Sequence, residues 1–213
     1  MLDRKFSFLD KVLIQTNTAL STLGGNSIAD RASPAEGHTE GDLTNSQRRH
    51  VAGLMRVNHT GEVCAQALYQ GQALTAKLDE VREEMENAAE EETDHLVWCE
   101  KRLNELQSST SILNPLWYGI SFGIGFLAGK ISDEVSLGFI AATEERVVWH
   151  LKNHLKKLPE EDRKSRLVLQ QMLHDEERHG DNAKKAGATE FPKFVKDTMS
   201  YLSQFMTKTT YWI

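Results

Sequence analysis

Glutamate and histidine stand three residues apart twice in this chain, as Glu92-x-x-His95 and as Glu176-x-x-His179. Each pair follows a solitary glutamate, Glu62 and Glu144, at a closely similar interval, so the chain reads as two copies of one helix pair. On an α-helix, residues three apart share a face, and each pair can aim a carboxylate oxygen and an imidazole nitrogen at one point. A single such pair is most often a solvated helix face. Two in register, each with an upstream glutamate in small or apolar surroundings, predict a two-metal site built from Glu62, Glu92, His95, Glu144, Glu176 and His179.

Electrostatics supports the same reading. Four carboxylates converging in a core repel one another, and burying them without counter-charge is costly. Two divalent cations would leave the set formally neutral. Four carboxylates and two imidazoles form a hard, oxygen-rich set that suits iron or manganese, whereas structural zinc usually recruits cysteine. The pattern of one Glu from each of two helices and Glu-x-x-His from each of the other two matches the template of ferritin-like dinuclear bundles.

Neighbouring residues carry blander readings. Glu90, Glu91, Glu145 and Glu177 are adjacent to ligand positions and read as solvated groups or as supports behind the ligands. His59 precedes Glu62 by three in reversed order and reads as off the metal. Tyr69 and His150 lie close enough in helical angle to Glu62 and Glu144 to line the site; Tyr69 reads first as core packing, and for His150 packing and support are equally open. His154 and His174 read as surface residues, and Cys64 as pointing away from Glu62.

The elements that must position these groups are helical. The chain has 213 residues, enough for one sizeable domain with appendages. Four prolines, no alternating β-branched runs and a middle rich in Ala, Leu, Glu, Gln, Lys and Arg argue for an all-α fold. A net charge of −6 argues against general nucleic-acid binding, and 39% hydrophobic residues against disorder. The two cysteines, Cys64 and Cys99, make no disulfide scaffold and fit a reducing compartment. Apolar spacing predicts a short helix over 6–23, a polar loop or tether over 24–44, and bundle helices over 46–77, 80–107, 132–158 and 161–186. Residues 1–45 thus read as an N-terminal helix and flexible polar linker, and 46–213 as one four-helix-bundle domain.

Between the halves, residues 112–131 contain no acid, one charge at Lys130, and glycines at 119, 123, 125 and 129. The length would permit a membrane span. Against it, Asn114 and Pro115 interrupt its start, the glycines weaken helix propensity, and both halves must lie on one side to share a site. Core burial and shallow contact with a bilayer are the remaining readings. Residues 193–213 repeat the hint: Val195, Met199, Leu202 and Met206 form an apolar stripe ending in Tyr211 and Trp212, for which packing on the bundle is the rival. Both segments are expected to act as membrane-docking elements, with Ile120, Phe122 and Ile124 on the docking face.

The stretch Met55 to Glu62, reading Met-Arg-Val-Asn-His-Thr-Gly-Glu, resembles the opening motif of the demethoxyubiquinone hydroxylase family of ubiquinone biosynthesis. So do Ala-Leu-Tyr69-Gln-Gly-Gln, the two Glu-x-x-His pairs and Ala-Ala-Thr-Glu144-Glu; the likeness covers 50–213 and is closest to the bacterial branch. It implies a ferritin-like di-iron bundle with two iron ions per subunit on the six residues named above. It also places His150 at a family position near the metal. The implied activity is O2-dependent hydroxylation of the ring of 2-polyprenyl-3-methyl-6-methoxy-1,4-benzoquinol, with additional apolar membrane-facing helices for the polyprenyl tail. O2 is the co-substrate. The implied location is the bacterial inner membrane, peripheral on the cytoplasmic side. No Gly-x-Gly-x-x-Gly loop or iron-sulfur cysteine set is present, so the reductant is external, with NADH a candidate; accessory proteins of ubiquinone biosynthesis and a homo-oligomer are candidate partners. Two other classes share the same ligands: a ferritin-like protein that oxidises or stores iron, and a membrane-bound di-iron quinol oxidase.

Overall fold

A computed structural model describes residues 8–213, which form seven helices and, among the described residues, no strand. They are α1 (Phe8–Gly24), α2 (Asn45–Ala73), α3 (Asp79–Glu105), α4 (Asn114–Ile131), α5 (Asp133–Lys157), α6 (Arg163–Lys185) and α7 (Lys193–Thr210). The helix expected over 6–23 is found from residue 8 onward, its first two expected positions lying outside the described residues.

Local chemistry sets the helix ends. Thr44 and Gln47 form a reciprocal capping box at the start of α2, with Gln47 N–H donating to Thr44 Oγ1 at 3.2 Å and Thr44 N–H to Gln47 Oε1 at 2.9 Å. Ser132 caps α5 through Val135 N–H, and Asp162 caps α6 through Ser165 N–H at 3.0 Å. Pro115 opens α4, where its missing donor costs nothing. Beyond α6 the chain turns at Gly187, whose φ of +100° lies in the region that side chains disfavour.

Helices α2 and α3 pair, as do α5 and α6; α3 meets α6 and α2 meets α5, so the four surround one axis. One apolar layer contains Val51, Met55, Trp98, Leu103, Leu151, Leu169 and Met172. A second contains Ala65, Tyr69, Met85, Leu137, Ile140 and Ala183. Along every one of the four helices the predicted ligand lies between these two layers, so apolar packing flanks the polar centre on both sides.

Helix α4 lies against α2 along most of its length. The glycines of both helices explain the close approach: a Cβ at Gly125 would lie 2.2 Å from Leu68 O, and one at Gly71 would lie 2.4 Å from Phe122 O. What reads in sequence as poor helix propensity is therefore a contact face. The opposite face leaves Leu116, Leu127 and Ile131 exposed. No helix among the described residues is long and apolar enough to cross a membrane. Helix α7 returns to the bundle, where Tyr211 packs over Gly53 and the Phe205 ring meets Trp117 edge-on at 6.0 Å.

The segment between α1 and α2 holds no regular element, as its composition suggests, and it makes specific contacts with the bundle. Arg102, fully buried on α3, pairs with Glu40 of this segment, with Glu105 at 2.9 Å and with Asp162 at 3.0 Å. Nearer the centre, Arg31 pairs with Asp94 and Asp175.

Candidate metal centre

Each of the four bundle helices brings its predicted residue to the middle of the core. Ligand atoms of Glu62, Glu92, His95 and Glu176 all lie within 4.8 Å of one another, and all four residues are buried. His95 Nδ1 stands 3.0 Å from Glu176 Oε1, 3.3 Å from Glu92 Oε2 and 3.7 Å from Glu62 Oε2. His179 Nδ1 stands 3.2 Å from Glu92 Oε1 and 3.3 Å from Glu176 Oε2. Glu92 and Glu176 thus each face both histidines. Glu144, 1% exposed, completes the group from α5: its Oε1 accepts from the Tyr69 hydroxyl at 2.5 Å.

The electrostatics is that of a site built for cations. Burial, and then the neighbouring carboxylates Glu92 and Glu176, push the Glu62 carboxyl well above its ordinary value. Burial, Glu176 and Glu92 do the same to Glu144. The imidazoles move against their own burial: Asp175, Glu176, Glu62 and Glu92 hold His95 well above its ordinary value, and Glu176 with Glu92 raises His179 to about 11. Glu92, despite burial, is held low by hydrogen bonds from His179 and His95. Without metal, protons occupy the place of cationic charge. The fit to a metal is also seen in what lacks a partner: Glu144 Oε2, Glu92 Oε1 and Glu176 Oε1 are buried and accept no aligned hydrogen bond. Hard oxygen donors with two imidazoles, in a buried setting, suit iron or manganese.

The outer nitrogens of both histidines are held from behind. His95 Nε2 lies 3.0 Å from Asp175 Oδ2, and His179 Nε2 lies 3.0 Å from Glu91 Oε2. The residue before each motif glutamate therefore supports the histidine of the other motif, which fixes the ring so that Nδ1 faces inward. Glu91 is a support, one of the two roles open to it in sequence. Asp175 was not singled out by sequence reasoning; its signal was the shared acidic residue ahead of both motif glutamates. Glu145 and Glu177 lie on the surface beside Lys196 and Lys152.

An apolar cleft enclosing about 170 Å³ opens beside this centre, and Glu62 forms part of its wall. Leu68, Trp117, Ile120, Ile124, Phe139, Val147, Met199, Leu202 and Met206 line it from α2, α4, α5 and α7. His150 lies in this lining rather than behind a ligand, with Nε2 3.0 Å from Ser203 Oγ; burial, then Arg146 and Lys157, lower it to about 4, so it is neutral. Asn58 also lines the cleft. Its Oδ1 lies 2.8 Å from His154 Nδ1, while its Nδ2 has no partner within the protein.

Three sequence readings need correction. His154, read as a surface residue, is buried because Asn58 supplies its polar partner across the bundle. Cys64, read as pointing away from Glu62, lines the same cleft, because α4 and α7 fold a wall over that side of α2. Of the three residues expected on one docking face, Ile120 and Ile124 line the cleft, and Phe122 stacks on Tyr118. His59 stays out of the cluster, buried beside Asn114. Tyr69 is both core and site: fully buried, with its hydroxyl on Glu144.

The model of the family "Ubiquinone biosynthesis protein COQ7" matches residues 49–210. A protein of Pseudomonas syringae pv. syringae named 3-demethoxyubiquinol 3-hydroxylase is 59% identical over 212 residues, 99% of each chain. Proteins of the same name from Pseudomonas putida and Pseudomonas aeruginosa are 58% identical over the same length, again 99% of each chain. With the opening motif, both glutamate-histidine pairs and near full-length similarity in agreement, this chain belongs to the ubiquinone biosynthesis protein COQ7 family.

Proposed function

We propose that this protein is a di-iron 3-demethoxyubiquinol 3-hydroxylase of ferritin-like architecture, which inserts one oxygen atom from O2 into the ring of 2-polyprenyl-3-methyl-6-methoxy-1,4-benzoquinol. The observation that carries the reading is the apolar cleft whose wall includes Glu62 of the buried cluster. A centre serving iron storage alone has no use for such a cleft. Glu62, Glu92, His95, Glu144, Glu176 and His179 would hold two iron ions, which when bound would supply electrons and open coordination for O2.

The chain's own residues do the rest. The apolar lining of α4 and α7 takes the first isoprene units and keeps water from the reacting ring. Neutral His150 with Ser203 offers a polar contact to an oxygen of the quinol from the cleft wall. Tyr69 holds Glu144 in one orientation through its hydroxyl. Exposed Leu116, Leu127, Phe205 and Trp212 on α4, α7 and the C-terminal end give a surface for peripheral contact with the bacterial inner membrane, on its cytoplasmic side, where the polyprenyl tail resides. Electrons come from an external reductant, NADH being the candidate.

The test is expression of the full chain in cells that accumulate demethoxyubiquinone, with quinones measured by mass spectrometry beside Glu144→Ala. Restored ubiquinone with the intact chain alone is expected. Persistent demethoxyubiquinone with iron-loaded protein would refute ring hydroxylation, and oxidised quinone without added oxygen would indicate a quinol oxidase.

A further inference from the structure

The two histidine supports are built alike up to a point. On the α6 side, His179 Nε2 contacts Glu91, and Glu91 is gripped by Arg178, which immediately precedes His179 and donates through Nη1 at 3.2 Å and through Nη2. On the α3 side, His95 Nε2 contacts Asp175, but the residue immediately preceding His95 is Asp94, an acid where the repeat has an arginine. The missing guanidinium comes from elsewhere in the chain. Arg31 Nη1 donates to Asp175 Oδ2 at 2.9 Å, the same oxygen that faces His95 Nε2 at 3.0 Å.

Asp94 is what holds Arg31 there. Its Oδ1 accepts from Asp30 N–H at 2.7 Å and Arg31 N–H at 3.2 Å, and its Oδ2 accepts from Arg31 Nε. Trp98, one turn beyond His95, donates to Arg31 O at 3.2 Å, and the guanidinium lies 4.9 Å from the centre of its indole ring. The His95 ring lies 5.4 Å from that of Trp98 on the inner side. Asp175 also has Gln171 Nε2 at 3.1 Å on Oδ1, with His174 Nδ1 and Arg178 Nη2 each at 3.5 Å. Those contacts fall on the oxygen away from His95; among the described residues, Arg31 is the one that shares Oδ2 with it.

We propose that Arg31 is a positioning residue of the metal centre, acting through Asp175 on His95, and that the segment between α1 and α2 is a strap that completes the site. This rests on the metal reading above and adds a residue from outside the matched family region, 49–210. A planar guanidinium suits the task, because its fork addresses Asp94 and Asp175, on two different helices, at once. Groups that orient a metal-bound histidine from behind typically carry about 10- to 100-fold in metal affinity, and Arg31 is one bond further out, so about tenfold is expected.

The experiment is anaerobic Fe(II) titration of the full chain against a competing chelator, with visible spectra of the Co(II)-loaded protein as a second readout. Wild type, Arg31→Ala, Arg31→Lys, Asp175→Asn and the double variant of Arg31→Ala with Asp175→Asn are compared after their helicity is checked without metal. The expected result is about tenfold weaker iron binding and a shifted Co(II) spectrum in Arg31→Ala. Arg31→Lys should fall between, since a compact ammonium keeps the charge but lacks the planar fork that spans Asp94 and Asp175, and the double variant should lose little beyond Asp175→Asn. Wild-type affinity and spectrum in both Arg31 variants, or additive losses in the double variant, would overturn the proposal while leaving the metal centre standing. A wild-type chain that binds no iron would overturn both.

Discussion

At the scale of single residues, the centre is a balance of charges that a metal must disturb. Glu62 and Glu144, raised by burial and by other carboxylates, and His95 and His179, raised by the carboxylates around them, retain protons that a bound cation has to displace. Metal loading near neutral pH is therefore expected to release protons, and half-saturation to require more metal as pH is lowered. Titration calorimetry in buffers of different ionisation enthalpy checks this, and a proton-neutral uptake would count against the assignment. In the metal-free chain, the contribution of His179 to stability is complete below its ordinary value of 6.5 and is lost as pH rises through about 11. Glu92 and Asp175, held low, contribute in the opposite window, lost only as pH falls below the ordinary carboxylate range. Tyr69→Phe removes the hydrogen bond donated to Glu144 Oε1 and should cost the metal-free protein about 1–3 kcal/mol in denaturant unfolding. Alanine at Glu62, Glu144 or His179 should abolish hydroxylation, and full activity in any of them would remove that residue from the ligand set.

At the scale of elements, α4 shows how one helix serves two surroundings. Its Gly125 edge touches the α2 backbone, its centre forms a wall of the cleft, and Leu116 and Leu127 face outward. Gly125→Ala would put a methyl 2.2 Å from Leu68 O, and overpacking of this kind should destabilise by about 1–3 kcal/mol. Gly119→Ala meets open space on the same helix and should instead be neutral or stabilising by about 0.5–1 kcal/mol, from the entropy glycine loses on folding. Thermal midpoints that moved alike in both variants would refute the close-contact account of these glycines.

At the scale of the whole molecule, the described helices set the cleft beside the buried centre and leave Leu116 and Leu127 of α4 and Phe205 of α7 exposed. Glutamate at Leu116, Leu127 and Phe205 together should abolish co-sedimentation with anionic liposomes while leaving iron stoichiometry unchanged, because the change adds repulsion as well as polarity to the exposed face and none of the three belongs to the cluster. Unchanged sedimentation would remove membrane docking from the proposed function. The strap over α3 belongs to this scale too, since Arg31 pairs directly with Asp175, late in the chain, and Glu40 shares Arg102 of α3 with Asp162.

Helix positions were legible in the amino-acid sequence, as was the meeting of Glu62, Glu92, His95 and Glu176 in one buried group, because helical periodicity and three-residue spacing are local properties that each stretch carries by itself. The doubled Glu-x-x-His pattern predicts a shared point without any knowledge of how the helices meet. What only the tertiary structure decided were relations between distant stretches whose individual patterns are ambiguous. Asp175 backs His95 across the bundle, Asn58 buries His154, and Arg31 supplies a guanidinium that the repeat itself lacks beside His95. The glycines of α4 are unfavourable for a helix alone and become favourable only when α2 comes close enough to exclude any side chain. Charge pairing and close packing are pairwise between elements, and a partner far along the chain leaves no local trace in composition or spacing.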